Sequence, residues 1–348
     1  MLELHSPAGA FEQIEEYLRE HGFFAPGGEE LVADLYLGYG LSEPLRRRRV
    51  PAPPEPCPLP LAAVAVAHMS APGPDRSATD TLSIGQWERT WSDGEYGDVV
   101  EAVRAAIGRG DVYQVNLVQH LSADVQGQPS ALAARLSSFV PRVLEGDGWA
   151  IVSASPELFL SRRGRRVRTE PIKGTRPLGV RVEGEKDAAE HVMIVDLERN
   201  DLSRVCEPGS VRWPELMVER ELAGVTHLVS TVEGTLRENV GLAELLAATF
   251  PGGSVTGAPK IAALDLIAAL EPVGRGASMG ALGTVRGNGD LELALTIRTF
   301  ALVEGRLHLW VGGGIVWDSE PEAEITESWT KAQPLLAAIG APVEAATR

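Results

Sequence analysis

Cysteine is nearly absent from this chain of 348 residues, which holds only Cys57 and Cys206. Two are too few for a disulfide framework or a Cys-rich metal site. Long apolar runs are missing too. The longest, residues 59–68, is short and contains Pro60, so no segment reads as a membrane span or a secretory leader. Positive charge is scarce, with 32 Lys and Arg against 48 Asp and Glu and a net charge of −16. Such a surface does not suit nucleic acid or anionic lipid. It also means that an anionic substrate must be met by a few local cations, from basic side chains or a metal. The remainder, 44% hydrophobic and 23% charged, is ordinary for a cytoplasmic globular enzyme with one large domain or two.

Residues 1–92 carry little patterned information. An amphipathic helix is expected over 11–20 and a buried strand over 61–67. Between them, residues 50–60 hold six prolines and read as a loop or linker. The run Arg46 to Arg49 is either an anion or partner patch or the solvated flank of that loop.

From Ser92 onward the pattern is regular. Val99, Val103 and Ile107 predict a helix over 98–109, closed by Gly110. Residues 111–119 alternate as a strand, with Gln114, Asn116 and His120 on one face, either solvated or lining a cavity. An apolar run over 148–160 is interrupted by Ser155-Pro156-Glu157. A carboxyl among Ala154, Leu158 and Phe159 is a candidate general acid with a raised pKa. The stretch Thr169 to Pro177 follows five arginines (Arg162, Arg163, Arg165, Arg166 and Arg168). It sets Lys173 between Pro171 and Pro177 with Gly174 beside it, as a surface turn or as a presented lysine.

A helix over 183–205 puts Glu190, Ile194, Leu197 and Asp201 on one stripe, so each acid meets a cation or binds a metal. Residues 250–260 form a Gly-rich loop entering a helix at Pro259, a setting for an anion. Gly257 is followed by Ala258 and Pro259, so this is not a Walker A loop and an ATPase is disfavoured. Residues 291–302 are strand-like around Arg298. A strand over 307–316 is interrupted by Gly312, Gly313 and Gly314, which signals either close approach to a ligand or a tightly crossed sheet. A final helix over 321–339, with Pro334 as a potential kink, aligns Glu324, Glu327 and Lys331. They form a surface pair or a second carboxylate cluster that completes a site with Glu190. Carboxylates without a His/Cys cluster favour Mg²⁺ over zinc.

Taken together, eight stretches resemble the chorismate-utilising enzymes. They are GDVYQVNLVQ, SASPELFL, TEPIKGTRP, AEHVMIVDLERNDLSRV, THLVSTVEG, PGGSVTGAPK, LTIRTF and GGGIVWDSEPEAEITESWTK, in family order. The resemblance implies an anthranilate synthase component I-like α/β (α+β) fold: a large single-core domain of two packed, mostly antiparallel sheets covered by helices, with a deep cleft. It divides the chain into a shortened, Pro-rich N-terminal portion, 1–92, and a chorismate-binding catalytic core, 93–348. It implies that Glu190 and Glu327, with Glu324 close by, hold Mg²⁺ against the ring carboxylate. Arg298, Gly313, Gly314 and Lys331 would hold the enolpyruvyl carboxylate, and Gln114, Thr175, His227, Ser254 and Lys260 would also line the substrate site. Glu157 would protonate the departing 4-hydroxyl and Lys173 would attack the ring, helped by the nearby arginines. Within the family, Pro-Ile-Lys-Gly-Thr resembles the aminodeoxychorismate synthase branch, a transferase of 4-aminobenzoate and folate biosynthesis, since anthranilate synthases usually have Ala at the Lys173 position. Gln114 stands where isochorismate-forming members have a water-activating lysine. Anthranilate or 2-amino-2-deoxyisochorismate remains an alternative product, and a non-catalytic partner subunit an alternative role.

Neither cysteine has a glutaminase-like setting, so ammonia is expected from a separate amidotransferase subunit. The N-terminus is shorter than usual in the family and tryptophan feedback is not expected. Thr284 and Glu292 depart from the Tyr and Asp that are usual there, the Tyr lining the cleft.

Overall fold

The computed structural model describes residues 1–47, 50–69, 81–177, 185–222 and 225–341, with side chains except at 175–177, 185–189, 222 and 225. Among these residues the chain forms two antiparallel sheets and seven α-helices. The helices are α1 (Ala10–Glu20), α2 (Asp93–Gly108), α3 (Pro129–Arg135), α4 (Glu185–Ser203), α5 (Leu242–Thr249), α6 (Lys260–Leu270) and α7 (Pro321–Ala338). None is long and apolar enough to cross a membrane.

The ten-stranded sheet begins Leu2–Leu4, Ala62–His68, Leu31–Leu37, Ala281–Arg286, Leu291–Leu295 and Leu158–Arg163. It continues through Arg166–Glu170, Val225–Thr235 and Ile172–Pro177, with Arg212–Leu222 also on Val225–Thr235. Residues 1–92 thus share a sheet with the rest of the chain. The eight-stranded sheet is built on Gln114–Gln126, which pairs along its length with Arg306–Ile315. One large apolar cluster draws on both sheets, through Leu35, Leu160 and Val167 of the first and Leu117, Ile151 and Ile315 of the second. A second cluster, beyond the single core expected, forms where Leu309 and Val311 meet Leu335 and Leu336 of α7.

Three expectations change. Gln114–Gln126 is buried on both faces over its first ten residues, so Gln114, Asn116 and His120 do not face solvent. Helix α2 starts earlier than its apolar spacing indicates, because Ser92 and Glu95 form a reciprocal capping box. Thr169 to Pro177 is not a turn. Its residues lie in two successive strands that share the partner Val225–Thr235. Pro171, with no N–H to give the ladder, marks the break, and its carbonyl accepts the Ser230 N–H at 3.2 Å. Gly174, at φ 67, sits in a bulge just after Lys173; there the left-handed conformation favours glycine.

Candidate active site

The break between strands Trp149–Ser153 and Leu158–Arg163 delivers Glu157, which is only 5% exposed. Its carboxylate accepts the Ser254 hydroxyl at 2.7 Å. Its backbone carbonyl accepts the Leu295 N–H at 3.0 Å, fixing it to the next strand. Burial pushes this carboxyl above the usual range, opposed by the Lys173 charge, the Ser254 and Ile172 hydrogen bonds and the Arg298 charge. Arg298 lies in the gap between Leu291–Leu295 and Thr299–Val303 at φ 51, a left-handed conformation uncommon outside glycine and enriched at functional sites. His227, opposite Thr175 in the ladder, is buried; burial and the Arg298 charge hold its pKa near about 4, so the imidazole is neutral at pH 7.

The glycine run forms the facing wall. A Cβ on Gly314 would fall 2.1 Å from Gln114 Nε2 and 3.6 Å from Lys173 Nζ. A Cβ on Gly313 would fall 3.2 Å from Lys331 Nζ, 3.4 Å from Glu327 Oε1 and 3.7 Å from Glu324 Oε2. Two neighbouring glycines therefore leave room at two clusters, one with the lysine and amide, the other with the α7 carboxylates. Both polar atoms of the Gln114 amide are buried without a hydrogen-bond partner, as is Asn116 Oδ1. Lys331 pairs with Glu327 at 2.7 Å and donates to the Gly312 carbonyl at 3.1 Å. Buried Glu324 accepts the Ser319 hydroxyl at 2.5 Å.

For a metal, the donor chemistry fits: carboxylates with no thiolate or imidazole suit a hard cation. Glu324 and Glu327 come together beside Gly313; among the described residues no group of three His, Cys, Asp or Glu is already gathered as a metal site.

The sequence profile of the chorismate binding enzymes matches residues 56–337. The chain belongs to that family. It is 42% identical over 279 residues to aminodeoxychorismate synthase component 1 of Klebsiella aerogenes, covering 75% of this chain and 61% of that protein. It is 44% identical over 258 residues to anthranilate synthase component 1 of Thermus thermophilus, covering 69% and 56%. The chain thus spans little more than half the length of these relatives. The crystal structure of anthranilate synthase component I from Streptococcus pneumoniae superposes with a TM-score of 0.78 at 27% identity, covering 92% of this chain and 84% of that one.

This member of the chorismate binding family spends several of its charges elsewhere. Lys260 pairs with Asp201 at 2.5 Å and donates to the carbonyls of Thr249 and Pro251. That answers the question left by the α4 stripe, since Asp201 meets a cation in the fold. The arginines before Lys173 lie against carboxylates: Arg163 on Glu292 at 3.1 Å, Arg165 on Glu207 at 2.6 Å, Arg166 on Glu233 and Arg168 on Glu170. Their charges are largely compensated there, whereas the charge interaction recorded for Lys173 is with Glu157. Thr284 stands between exposed Asp34 and Glu292 in the ladder, on the sheet face where Glu292 reaches Arg163. The Thr175 side chain lies outside the described residues. Both cysteines are buried and free, with burial raising their thiols to about 12 at Cys57 and about 11 at Cys206, unlike activated nucleophiles.

Two residues beside the site escaped the sequence reading. His191 bridges the Ser230 hydroxyl at 3.0 Å and the Lys173 carbonyl at 3.2 Å, tying α4 to the lysine strand. Its adjacency to Glu190 was the available signal. Glu198 is buried against the Thr169 hydroxyl at 2.5 Å, and burial raises its pKa to about 8. Nothing in the helical spacing distinguishes it from a surface acid.

Proposed function

We propose that the chain is an aminodeoxychorismate synthase component I, converting chorismate and ammonia to 4-amino-4-deoxychorismate. The observation that carries this reading is Lys173 Nζ at the Gly314 wall beside Gln114, in electrostatic contact with a buried carboxyl, Glu157. Burial favours the protonated Glu157, which suits proton donation to a leaving hydroxyl. In this mechanism Lys173, as the free amine, forms a bond to ring C2. Both ring double bonds shift, the C4–O bond breaks with a proton from Glu157 as water departs, and the new C2–N group gives up a proton. Ammonia then attacks C4, both double bonds shift back, the C2–N bond to Lys173 breaks, and the incoming nitrogen loses a proton to the departing amine. Arg298 and Lys331 would hold the enolpyruvyl carboxylate, and His227, Ser254 and Gln114 would line the ring. Glu190, Glu324 and Glu327 would hold Mg²⁺, which, when bound, would neutralise the ring carboxylate. Ammonia would come from a separate glutamine amidotransferase subunit.

Anthranilate synthase component I is the second reading, because relatives of that name match at similar identity. Chorismate, ammonium and Mg²⁺ with the purified chain decide between them. Anthranilate fluoresces directly, whereas aminodeoxychorismate is identified by mass and yields 4-aminobenzoate only after a lyase is added. Without ammonia, peptide mass spectrometry should place an adduct on Lys173, absent in Lys173→Ala. Wild-type turnover in Lys173→Ala would eliminate the covalent route. Glutamate release from glutamine by the chain alone would eliminate the separate amidotransferase.

A further inference from the structure

Lys173 is the last residue of a short segment, Pro171-Ile172-Lys173, that touches both reacting groups. The Ile172 N–H donates to the Glu157 carboxylate, and the next residue is the lysine itself. The backbone of this segment therefore sets the acid and the lysine relative to each other. An uninterrupted ladder does not hold it. Pairing with Val225–Thr235 jumps from Lys173 opposite Leu228 to Thr175 opposite His227, with Gly174 between them at φ 67. A bulge of this kind leaves the ladder locally disrupted.

Both ends of the segment are gripped through one buried residue, Ser230. Its N–H donates to the Pro171 carbonyl at 3.2 Å. Its hydroxyl lies 3.0 Å from His191 Nδ1, and His191 Nε2 lies 3.2 Å from the Lys173 carbonyl. A carbonyl only accepts, so Nε2 carries a proton. In the neutral imidazole Nδ1 then accepts from the Ser230 hydroxyl. The hydroxyl oxygen in turn accepts the Met217 N–H at 3.0 Å. Met217 lies at φ 54 within a bulge of Arg212–Leu222, the neighbouring strand. Donation thus runs one way, from Met217 through Ser230 and His191 to Lys173. His191 is buried as well, so a severed link strands a polar group away from water.

Helix α4 adds a second grip from the same face. Glu198 stands seven positions after His191, two turns along the helix. It accepts the Thr169 hydroxyl at 2.5 Å, just before the segment begins.

We propose that His191 is a positioning residue. Oriented by Ser230, it holds the Lys173 peptide so that Nζ stands at the Gly314 wall while the Ile172 N–H stays on Glu157. The assignment rests on Lys173 as the nucleophile and adds the group that aims it.

Four variants of the full chain test this: His191→Leu, His191→Gln, Ser230→Ala and Lys173→Ala. Each is assayed with chorismate, ammonium and Mg²⁺, and by amide hydrogen exchange across residues 169–174. A reacting group displaced by about 1 Å loses roughly 100-fold in rate. His191→Leu should therefore lower kcat by about tenfold to 100-fold, with the KM for chorismate within about threefold of the parent. Exchange over Ile172 to Gly174 should quicken by about tenfold. The amide of His191→Gln still donates to the Lys173 carbonyl and should restore most of the rate. Ser230→Ala keeps the N–H on Pro171 but releases the imidazole, and its kcat should fall several-fold. It also carries the test if His191→Leu does not fold. A purely structural histidine would lower Tm in every variant without this split between kcat and KM and without rescue by glutamine. Parent kcat in His191→Leu or Ser230→Ala, unchanged exchange, or equal losses in His191→Leu and His191→Gln would overturn the proposal. Parent turnover in Lys173→Ala beside a slow His191→Leu would overturn the covalent reading instead, and would support the grip acting through Ile172 and Glu157.

Discussion

Alanine at each of the three consecutive glycines should give three different outcomes. None has a positive φ, so alanine gains about 0.4–1 kcal/mol from a less disordered unfolded chain. At Gly312 the new Cβ would fall 1.9 Å from the Leu117 carbonyl oxygen and 2.8 Å from the Val118 Cα, both backbone of the paired strand. Relief requires breaking a ladder that runs from Arg306 to Ile315, so overpacking costs about 3 kcal/mol or more. At Gly313 the obstacle is the tip of Lys331 at 3.2 Å, and stability should change by less than about 1 kcal/mol. At Gly314 the obstacle is the Gln114 amide at 2.1 Å, a side chain on a fixed strand, so overpacking costs about 1–3 kcal/mol. The methyl also fills the space between Gln114 and Lys173. A displacement of about 1 Å in a reacting group costs roughly 100-fold in rate, so chorismate turnover should fall by at least about that factor. Thermal unfolding and steady-state kinetics on the three variants test the scheme. Turnover in Gly314→Ala within twofold of the parent would refute it, as would a Gly314→Ala protein less stable than Gly312→Ala.

Three further outcomes follow from the buried acids. The Ser254 hydroxyl favours the ionised form of Glu157, so Ser254→Ala raises that pKa and keeps the acid protonated to higher pH; the alkaline limb of kcat should move up, and an unmoved or lowered limb contradicts the assignment. Glu198 binds its proton more tightly folded than unfolded, with a pKa of about 8 against 4.5, so its contribution is fully present below pH 4.5 and lost as pH rises through about 8. Glu198→Gln should therefore raise Tm at pH 9 relative to the parent and leave it nearly unchanged at pH 4; an equal shift at both pH values counts against this. Lys260→Met strands the buried Asp201 carboxylate and should cost roughly 3–5 kcal/mol in urea unfolding, with much of it recovered in Lys260→Met/Asp201→Asn; additive losses would show that the pair is not coupled.

What the sequence made legible is the part governed by local periodicity. The spacing of Glu324, Glu327 and Lys331 survives in α7, and those three side chains do meet at Gly313. The single strand-like stretch expected over 291–302 is instead two strands of different sheets, Leu291–Leu295 and Thr299–Val303, with Arg298 in the gap. Alternation over residues 111–119 was readable, but a period of two cannot tell solvent from a second packed layer, so the buried face was left open. Pro171 and Gly174 carry turn chemistry that the structure uses instead for a ladder break and a bulge within a paired sheet. The meeting of Gln114 with Lys173 depends on two strands of different sheets, and no local pattern encodes it. Lys260 and Asp201 are likewise partners only through the packing of α4 against the Gly-rich loop.

The position of Leu31–Leu37 in its sheet carries a consequence for how the chain comes off the ribosome. One neighbour, Ala62–His68, is synthesised soon after it. The other, Ala281–Arg286, pairs Leu37 with Ala281 and Val32 with Arg286, and so is synthesised long after it. Until then a largely apolar strand presents an unpaired edge, the feature most prone to pairing with another chain. High contact order of this kind slows folding and lengthens exposure. Nascent chains halted before residue 281 should therefore associate with one another or with chaperones, while those halted after residue 341 should not.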